Sequence, residues 1–230
     1  MSKLSVFGAT GRTGRHLMAL ARAAGFDPLP VVRDIGAADR LGFGGGALVA
    51  DLRDADSVER ALYTARPRAV ISVAGGRGDL WVDGEGSIGL IEACVAAGVE
   101  RFILVTSLGC GDSAEHASPA LLRAIGAVLR EKTRAEAHLA TTTLAWTTVR
   151  PGGLTETPAT GGGALFDDPR VHGRIGCCDL AALLVSLLHE PASFGRRLAA
   201  VDSATLSGPA EPRRFASDSE ARSGDLLPRP

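Results

Sequence analysis

A chain of 230 residues, 45% hydrophobic and 22% charged, holds one sizeable core and is too short for two comfortable ones, which excludes disorder throughout. Its formal net charge of −1 lacks the excess of Lys and Arg that neutralises a phosphate backbone, so no nucleic acid is expected as a partner. No apolar run reaches membrane-spanning length and Gly8 to Gly14 interrupts any signal-peptide core, so the expectation is no membrane partner and a cytoplasmic location.

Lys3-Leu-Ser-Val-Phe is a short apolar run rich in strand formers and reads as a buried strand. Gly8, Gly11 and Gly14 follow at three-residue spacing, and Leu17, Leu20, Ala21 and Ala24 give a helix from Arg15 its apolar face. Strand, glycine turn and helix make a phosphate-binding context. Glycine lets backbone N–H groups approach a pyrophosphate, and the helix N-terminus adds partial positive charge. The stretch Gly8, Ala9, Thr10, Gly11, Arg12, Thr13, Gly14 is one residue wider at its first gap than the usual dinucleotide fingerprint. It resembles the cofactor loop of atypical short-chain dehydrogenase/reductases, the NmrA-like and biliverdin reductase B-like proteins. The resemblance implies that these residues bind NAD(P)(H).

Pro28 to Val32 is a second strand, with Arg33 and Asp34 at its end, where a dinucleotide fold meets the adenosine ribose. An arginine pairs with a 2′-phosphate through parallel charge-assisted hydrogen bonds, whereas an acid accepts from a 2′-hydroxyl. Arg33 comes first, so NADP(H) is favoured over NAD(H), and Asp34 keeps NAD(H) open. Leu41 to Gly46 reads as a loop, Ala47 to Ala50 as a third strand, and Asp54 to Ala65 as a helix capped by Asp54 or Asp56. In the resembled family the strand-end Asp and its neighbour lie beside the adenine, which implies that role for Asp51 and Leu52. The run from Ala69 to Ala74 is that of a central strand buried on both faces. Beyond it Ala74, Gly75 and Gly76 bring the backbone close to the ribose–nicotinamide half of the cofactor, and Arg77, Asp79, Trp81 and Asp83 border a substrate.

Val82 to Ala93 continues as a helix and Val99 to Gly109 as a fifth strand with its exit, both similar to the family's central segment. Ser107 falls where the family's catalytic serine stands, its hydroxyl available to a substrate carbonyl or a developing oxyanion; the alternative is a cap for the next segment. Ser118 and Pro119 open a helix to about Ala140, on which Leu121, Leu122, Ile125, Val128, Leu129, Ala135 and Leu139 form one apolar face. Lys132 lies on that face and matches the lysine of the family's Tyr-x-x-x-Lys motif, which holds the nicotinamide ribose. The tyrosine position is Val128, and the only tyrosine, Tyr63, lies in an early helix. The usual proton donor is missing while the cofactor-holding lysine remains.

Ala145 to Arg150 is a sixth strand, and Thr148 to Leu154, with Pro151, Gly152 and Gly153, resembles the family's segment beside the nicotinamide. Residues 152–174 read as a substrate-side loop, Asp179 to Glu190 as a helix with Asp179 as its cap, and Arg197 to Val201 as a last strand. Alternating strands and helices make residues 1–202 one α/β domain, a Rossmann-type doubly wound parallel sheet. Residues 203–230 read as a flexible C-terminal tail, ordered only against the domain or a partner subunit of a homo-oligomer. Cys94, Cys110, Cys177 and Cys178 lack metal-ligand spacing and read as reduced thiols, with no metal site. The function implied by the resemblance is NADPH-dependent reduction of a small conjugated, quinone-like or flavin-like molecule. An NADP(H)-binding regulator without turnover and a non-redox enzyme on the same fold are the alternatives.

Overall fold

The structure, a computed structural model, describes residues 2–76 and 78–216. Among the described residues ten strands follow in chain order: β1 (Lys3–Phe7), β2 (Asp27–Val32), β3 (Leu48–Val49), β4 (Ala69–Ser72), β5 (Arg101–Val105), β6 (Ala145–Pro151), β7 (Gly153–Thr155), β8 (Gly163–Phe166), β9 (Arg174–Gly176) and β10 (Arg196–Asp202). Eight form one sheet in the order β3-β2-β1-β4-β5-β6-β10-β8, while β7 and β9 make a small parallel pair. All pairings in the large sheet are parallel except that of β10 with the edge strand β8. The strand order reverses between β1 and β4, which opens a crevice above their carboxyl ends, the place where such sheets bind ligands.

Six α-helices cover the two faces: α1 (Arg12–Ala23), α2 (Ile35–Arg40), α3 (Ala55–Ala65), α4 (Ser87–Ala96), α5 (Pro119–Leu139) and α6 (Cys177–Ser186). Successive strand residues serve opposite layers, as the pleat requires. Ile103 and Val105 join Leu17, Met18, Leu180 and Leu184 beneath α1 and α6, while Phe102 and Leu104 join Val58, Leu62, Leu90 and Leu139 beneath α3, α4 and α5. Burying each such side chain contributes about 1.5–3 kcal/mol.

Several elements depart from the sequence expectation, each for a local reason. Helix α1 starts at Arg12, three residues before the expected Arg15, so Arg12, Thr13 and Gly14 occupy its first turn. Helix α2 lies just ahead of the expected Leu41 to Gly46 loop, in a stretch to which no element was assigned, and is nucleated by Asp34, whose carboxylate accepts from Gly36 N at 2.9 Å. Val82–Gly86 is a π-helical turn leading into α4, and not the start of a regular helix. The expected 152–174 loop carries β7 and β8; β8 is a four-residue strand too short to register in a glycine-rich stretch. The stripe on α5 is buried only in its second half. Backbone geometry breaks at Ile125 (φ −136°, ψ 16°), and Leu122 and Ile125 are exposed. Asp179 does not cap α6, whose N-cap is Gly176. Its buried carboxylate accepts from the Thr160 and Gly161 amides, each at 3.0 Å, tying that segment down.

Beyond β10, residues 203–216 run back over the domain. Ser207 bridges His172, Arg214 bridges Phe166, Asp167 N donates to Arg213 O and Phe215 N donates to Leu165 O, both at 2.9 Å. This arm lies along the outer side of β8, while Phe215 packs onto the α1–α6 core. The remainder of the expected tail, residues 217–230, and Arg77 lie outside the described residues. No helix among the described residues is long and apolar enough to cross a membrane.

Candidate functional site

A cleft of about 870 Å³ opens above the carboxyl ends of β1, β2, β3 and β4 and runs to the middle of α5. Its floor is the turn from β1 into α1. Gly8 has φ +83°, and a Cβ there would come within 2.8 Å of Ala74 N; a Cβ on Gly14 would press on Gly8 O and stand 2.7 Å from Ala9 Cα. Glycine is therefore sterically required where the loop, the helix and β4 converge. The loop closes on itself through Gly11 N to Gly8 O at 2.9 Å, and no side chain caps α1. The first amides of α1 thus face the cleft without an intrahelical acceptor, and the helix dipole adds to their attraction for an anion.

Thr10, Gly11, Arg12, Thr13, Arg33, Asp51, Leu52, Ala74, Gly75, Gly76 and Lys132 all line this cleft, together with Gly8 and Gly14. Arg33 is exposed at its β2 end, where Arg40 also borders it. Asp34 is committed to capping α2 and stands 3.6 Å from Arg40 Nη2. Asp51 accepts from Arg53 N at 3.0 Å, so its carboxylate orders the β3 exit. Asp79 pairs with Arg53 and accepts from Trp81 N, which folds the loop after β4 toward that exit.

At the other end Lys132 Nζ lies 2.9 Å from Asp83 Oδ1, with the lysine side chain 15% exposed and the aspartate 2%. The same oxygen accepts from Gly76 N at 3.2 Å. A lysine on the apolar stripe of α5 is thus explained by a buried partner. Ile125, Val128 and Leu154 supply the neighbouring apolar wall. Val128 stands one helical turn from Lys132, so the missing tyrosine is replaced by an aliphatic surface within the cleft itself.

Six expected site residues among those described fall outside this lining: Asp79 and Trp81 in the loop after β4, and Ser107, Pro151, Gly152 and Gly153. Ser107, half-buried past the end of β5, donates its hydroxyl to Leu108 O at 2.9 Å. Pro151 is buried at the end of β6, its carbonyl accepting from Leu108 N at 3.0 Å. Gly152 N donates to Ala200 O and Gly153 N to Gly173 O, both at 3.0 Å, and a Cβ on Gly152 would collide with Gly173. Gly152 permits close strand packing, whereas a Cβ on Gly153 would make only ordinary contact, and it is the next residue, Leu154, that reaches the cleft. Beneath Ser107 a buried network fixes the ends of β5 and β6. Thr106 Oγ1 donates to Glu136 Oε1 at 2.6 Å, and Arg150 pairs with Glu136 Oε2 at 2.6 Å and with Asp112. Burial opposes the Arg150 charge, but the two carboxylates raise its pKa above the ordinary arginine value.

The decisive comparison is with protein families: residues 8–191 match the model of the NAD(P)H-binding family. The chain belongs to that family. This NAD(P)H-binding protein has an oxidoreductase-type fold of the atypical short-chain dehydrogenase/reductase kind. It is similar to the anaerobilin reductase ChuY of Escherichia coli O157:H7, with 33% identity, a TM-score of 0.79 and coverage of 90% of this chain and 99% of the other. A chloroplastic protein of Arabidopsis thaliana is 31% identical over 207 residues, 84% of this chain and 74% of the relative. The oxidoreductase ylbE of Lactococcus lactis shares the fold at 24% identity and a TM-score of 0.77, covering 87% of this chain and 91% of that one.

Sequence reasoning placed Asp83 only in a substrate loop and did not connect it with Lys132. The available signal was a carboxylate seven positions beyond Gly76, ahead of an apolar helix, together with a lysine on an apolar stripe. Arg40 and Val128 as a wall residue were missed, and Leu154 was named only as the end of the segment beside the nicotinamide, because each depends on how α2, the α5 irregularity and β7 are placed.

Proposed function

We propose that the protein is an NADPH-dependent reductase of a small conjugated acceptor, quinone-like or flavin-like. The observation that carries this reading is a single cleft with a glycine-built anion cradle at one end and the buried Lys132–Asp83 pair against an apolar wall at the other. The residues fit a dinucleotide. The uncapped amides of α1 receive the pyrophosphate, Arg33 with Arg40 beside it receives a 2′-phosphate, Asp51 and Leu52 border the adenine, and Gly75, Gly76 and Lys132 border the nicotinamide ribose. Commitment of the Asp34 carboxylate to α2 favours NADP(H) over NAD(H), because it withdraws the acid that would accept from a ribose hydroxyl.

When bound, the reduced nicotinamide supplies hydride. Ile125, Val128 and Leu154 exclude water from the acceptor and give it an apolar face to lie against. With no tyrosine at the wall, rate depends mainly on positioning, which suits an acceptor that takes hydride readily. That the similar ChuY is an anaerobilin reductase supports a reductase reading here. Ser107 enters the chemistry only by turning its hydroxyl away from Leu108 O toward the acceptor.

The test is NADPH oxidation followed spectrophotometrically with purified protein and a panel of quinones and flavins. Steady oxidation that disappears in a folded glycine-loop variant supports the enzyme. Tight NADPH binding with no oxidation across the panel rejects it in favour of a nucleotide-binding regulator, the reading that the aliphatic Val128 position also fits.

A further inference from the structure

The reductase reading leaves the proton unassigned, and the geometry points to the ε-ammonium of Lys132 as the acid that protonates the reduced acceptor, with Asp83 as its positioning residue. Reduction of a quinone-like or enone-like acceptor places two electrons on it with the hydride and leaves negative charge on an oxygen or heteroatom, which needs one proton. Among the described residues lining the cleft, the arginines do not release protons. Asp34 and Asp51 are spent on backbone amides at the ends of β2 and β3. Ser107 lies outside the lining with its hydrogen on Leu108 O. Thr10 and Thr13 stand at the glycine-loop end and Asp83 is the lysine's carboxylate partner, so Lys132 is the donor at the apolar wall where the acceptor would lie.

Its setting suits the task. Asp83 Oδ1 takes one of the three ammonium hydrogens, and because this oxygen also accepts from Gly76 N, the carboxylate is held by the backbone after β4 and does not swing. The backbone at Gly75 runs directly beside the pair, for a Cβ there would lie 3.8 Å from Asp83 Oδ1 and 4.0 Å from Lys132 Nζ, at ordinary contact distance. The other charges around the pair are Glu131, which is paired with Arg134, and, through the shared face of α5, Glu136, which is paired with Arg150. Neither competes for the Lys132 hydrogens. In the step, an N–H bond of Lys132 breaks and an O–H or heteroatom–H bond of the product forms. Lys132 is left as a neutral amine and recovers its proton from water at the cleft mouth, while Asp83 stays a carboxylate throughout.

This rests on the reductase reading, and the experiment separates the two. Lys132→Arg keeps the charge and the pairing with Asp83 but cannot serve as an acid. NADPH affinity, measured by calorimetry, should fall by about tenfold at most, less than the loss of turnover with a quinone. Turnover with a 1,4-naphthoquinone should fall by about 10²- to 10³-fold. Turnover with methylene blue, a cation that hydride alone neutralises, should fall less, so that the ratio of naphthoquinone to methylene blue turnover drops by about 10-fold to 100-fold. Asp83→Asn should show the same acceptor-dependent loss in smaller measure, a selectivity that a merely structural role would not produce. If Lys132→Arg does not fold, Lys132→Met at saturating NADPH is read the same way. Equal loss with both acceptors, or loss with neither, overturns the acid role while leaving the reductase standing. Absence of NADPH oxidation by the parent protein with either acceptor overturns both.

Discussion

Gly14→Ala tests whether the start of α1 is built for close approach or merely contains a glycine. The backbone of Gly14 is that of an ordinary helical first turn, so alanine meets no conformational penalty there, only contact. The new Cβ would press on Gly8 O and lie 2.7 and 2.8 Å from Ala9 Cα and C, all backbone atoms that cannot rotate aside. Relief requires the loop and helix to part by roughly 1 Å, judged against ordinary carbon contact distances. Overpacking of this kind costs about 1–3 kcal/mol, and at about 2–4 °C per kcal/mol for a chain of this size the Tm should fall by about 2–12 °C. Moving the Gly8–Gly11 turn also displaces the amides offered to the cofactor. Losing one hydrogen bond to a charged group, about 1.5–3 kcal/mol, should weaken NADPH binding by roughly tenfold to a hundredfold. Calorimetry and thermal unfolding measure the two effects separately. Gly25→Ala is the control, because Gly25 has φ +85° with open space around it. Alanine there should cost about 1–2 kcal/mol of stability through strain and leave cofactor affinity untouched. Unchanged NADPH affinity in Gly14→Ala, or equal weakening in Gly25→Ala, would refute the close-approach argument.

Arg33→Ala should weaken NADPH binding by about tenfold to a hundredfold and barely alter NADH binding; equal loss of both, measured by calorimetry, counts against the 2′-phosphate role. Asp168 has its pKa lowered chiefly by the Arg170 guanidinium, so it contributes stability above about pH 4, the unfolded carboxylate range, and loses that contribution as pH falls toward its folded value. The Tm gap between the parent and Asp168→Asn should therefore be open at pH 6 and narrow below about pH 4; a gap that does not vary with pH contradicts it. Truncation before Gly208 should lower stability by roughly 2 kcal/mol, about one for each of the two backbone bonds lost beside β8, yet leave NADPH affinity unchanged, since no described residue of the arm lines the cleft. A truncated protein that folds but fails to bind NADPH would show that the arm shapes the site.

Strands β1, β4 and β5 were legible because each is a mostly apolar run between turn residues, and near-complete burial leaves little room for another reading. The glycine loop was legible for a related reason: the three-residue spacing states a steric requirement that the Gly8 and Gly14 contacts bear out. What the sequence hid depends on partners distant in the chain. Strand β8 has four residues, and its identity comes from pairing with β10. The α5 stripe has helical spacing throughout, but spacing does not distinguish a core from the wall of a cleft, and Ile125 and Val128 belong to the wall. Asp83 reads as an ordinary first-turn acid until the π-helical turn brings it to Lys132 across 49 positions of sequence.

The direction of β1 has a practical consequence. Its carboxyl end delivers Gly8 to the cleft, so its amino end, at Lys3, emerges at the opposite edge of the sheet between β2 and β4. Any leader, affinity tag or fused partner joined ahead of Lys3 would leave the molecule on the side remote from the nucleotide. Such an extension could be carried, exchanged or clipped without obstructing ligand entry. The β8 side, where the C-terminal arm is laced to the edge strand, offers no comparable freedom.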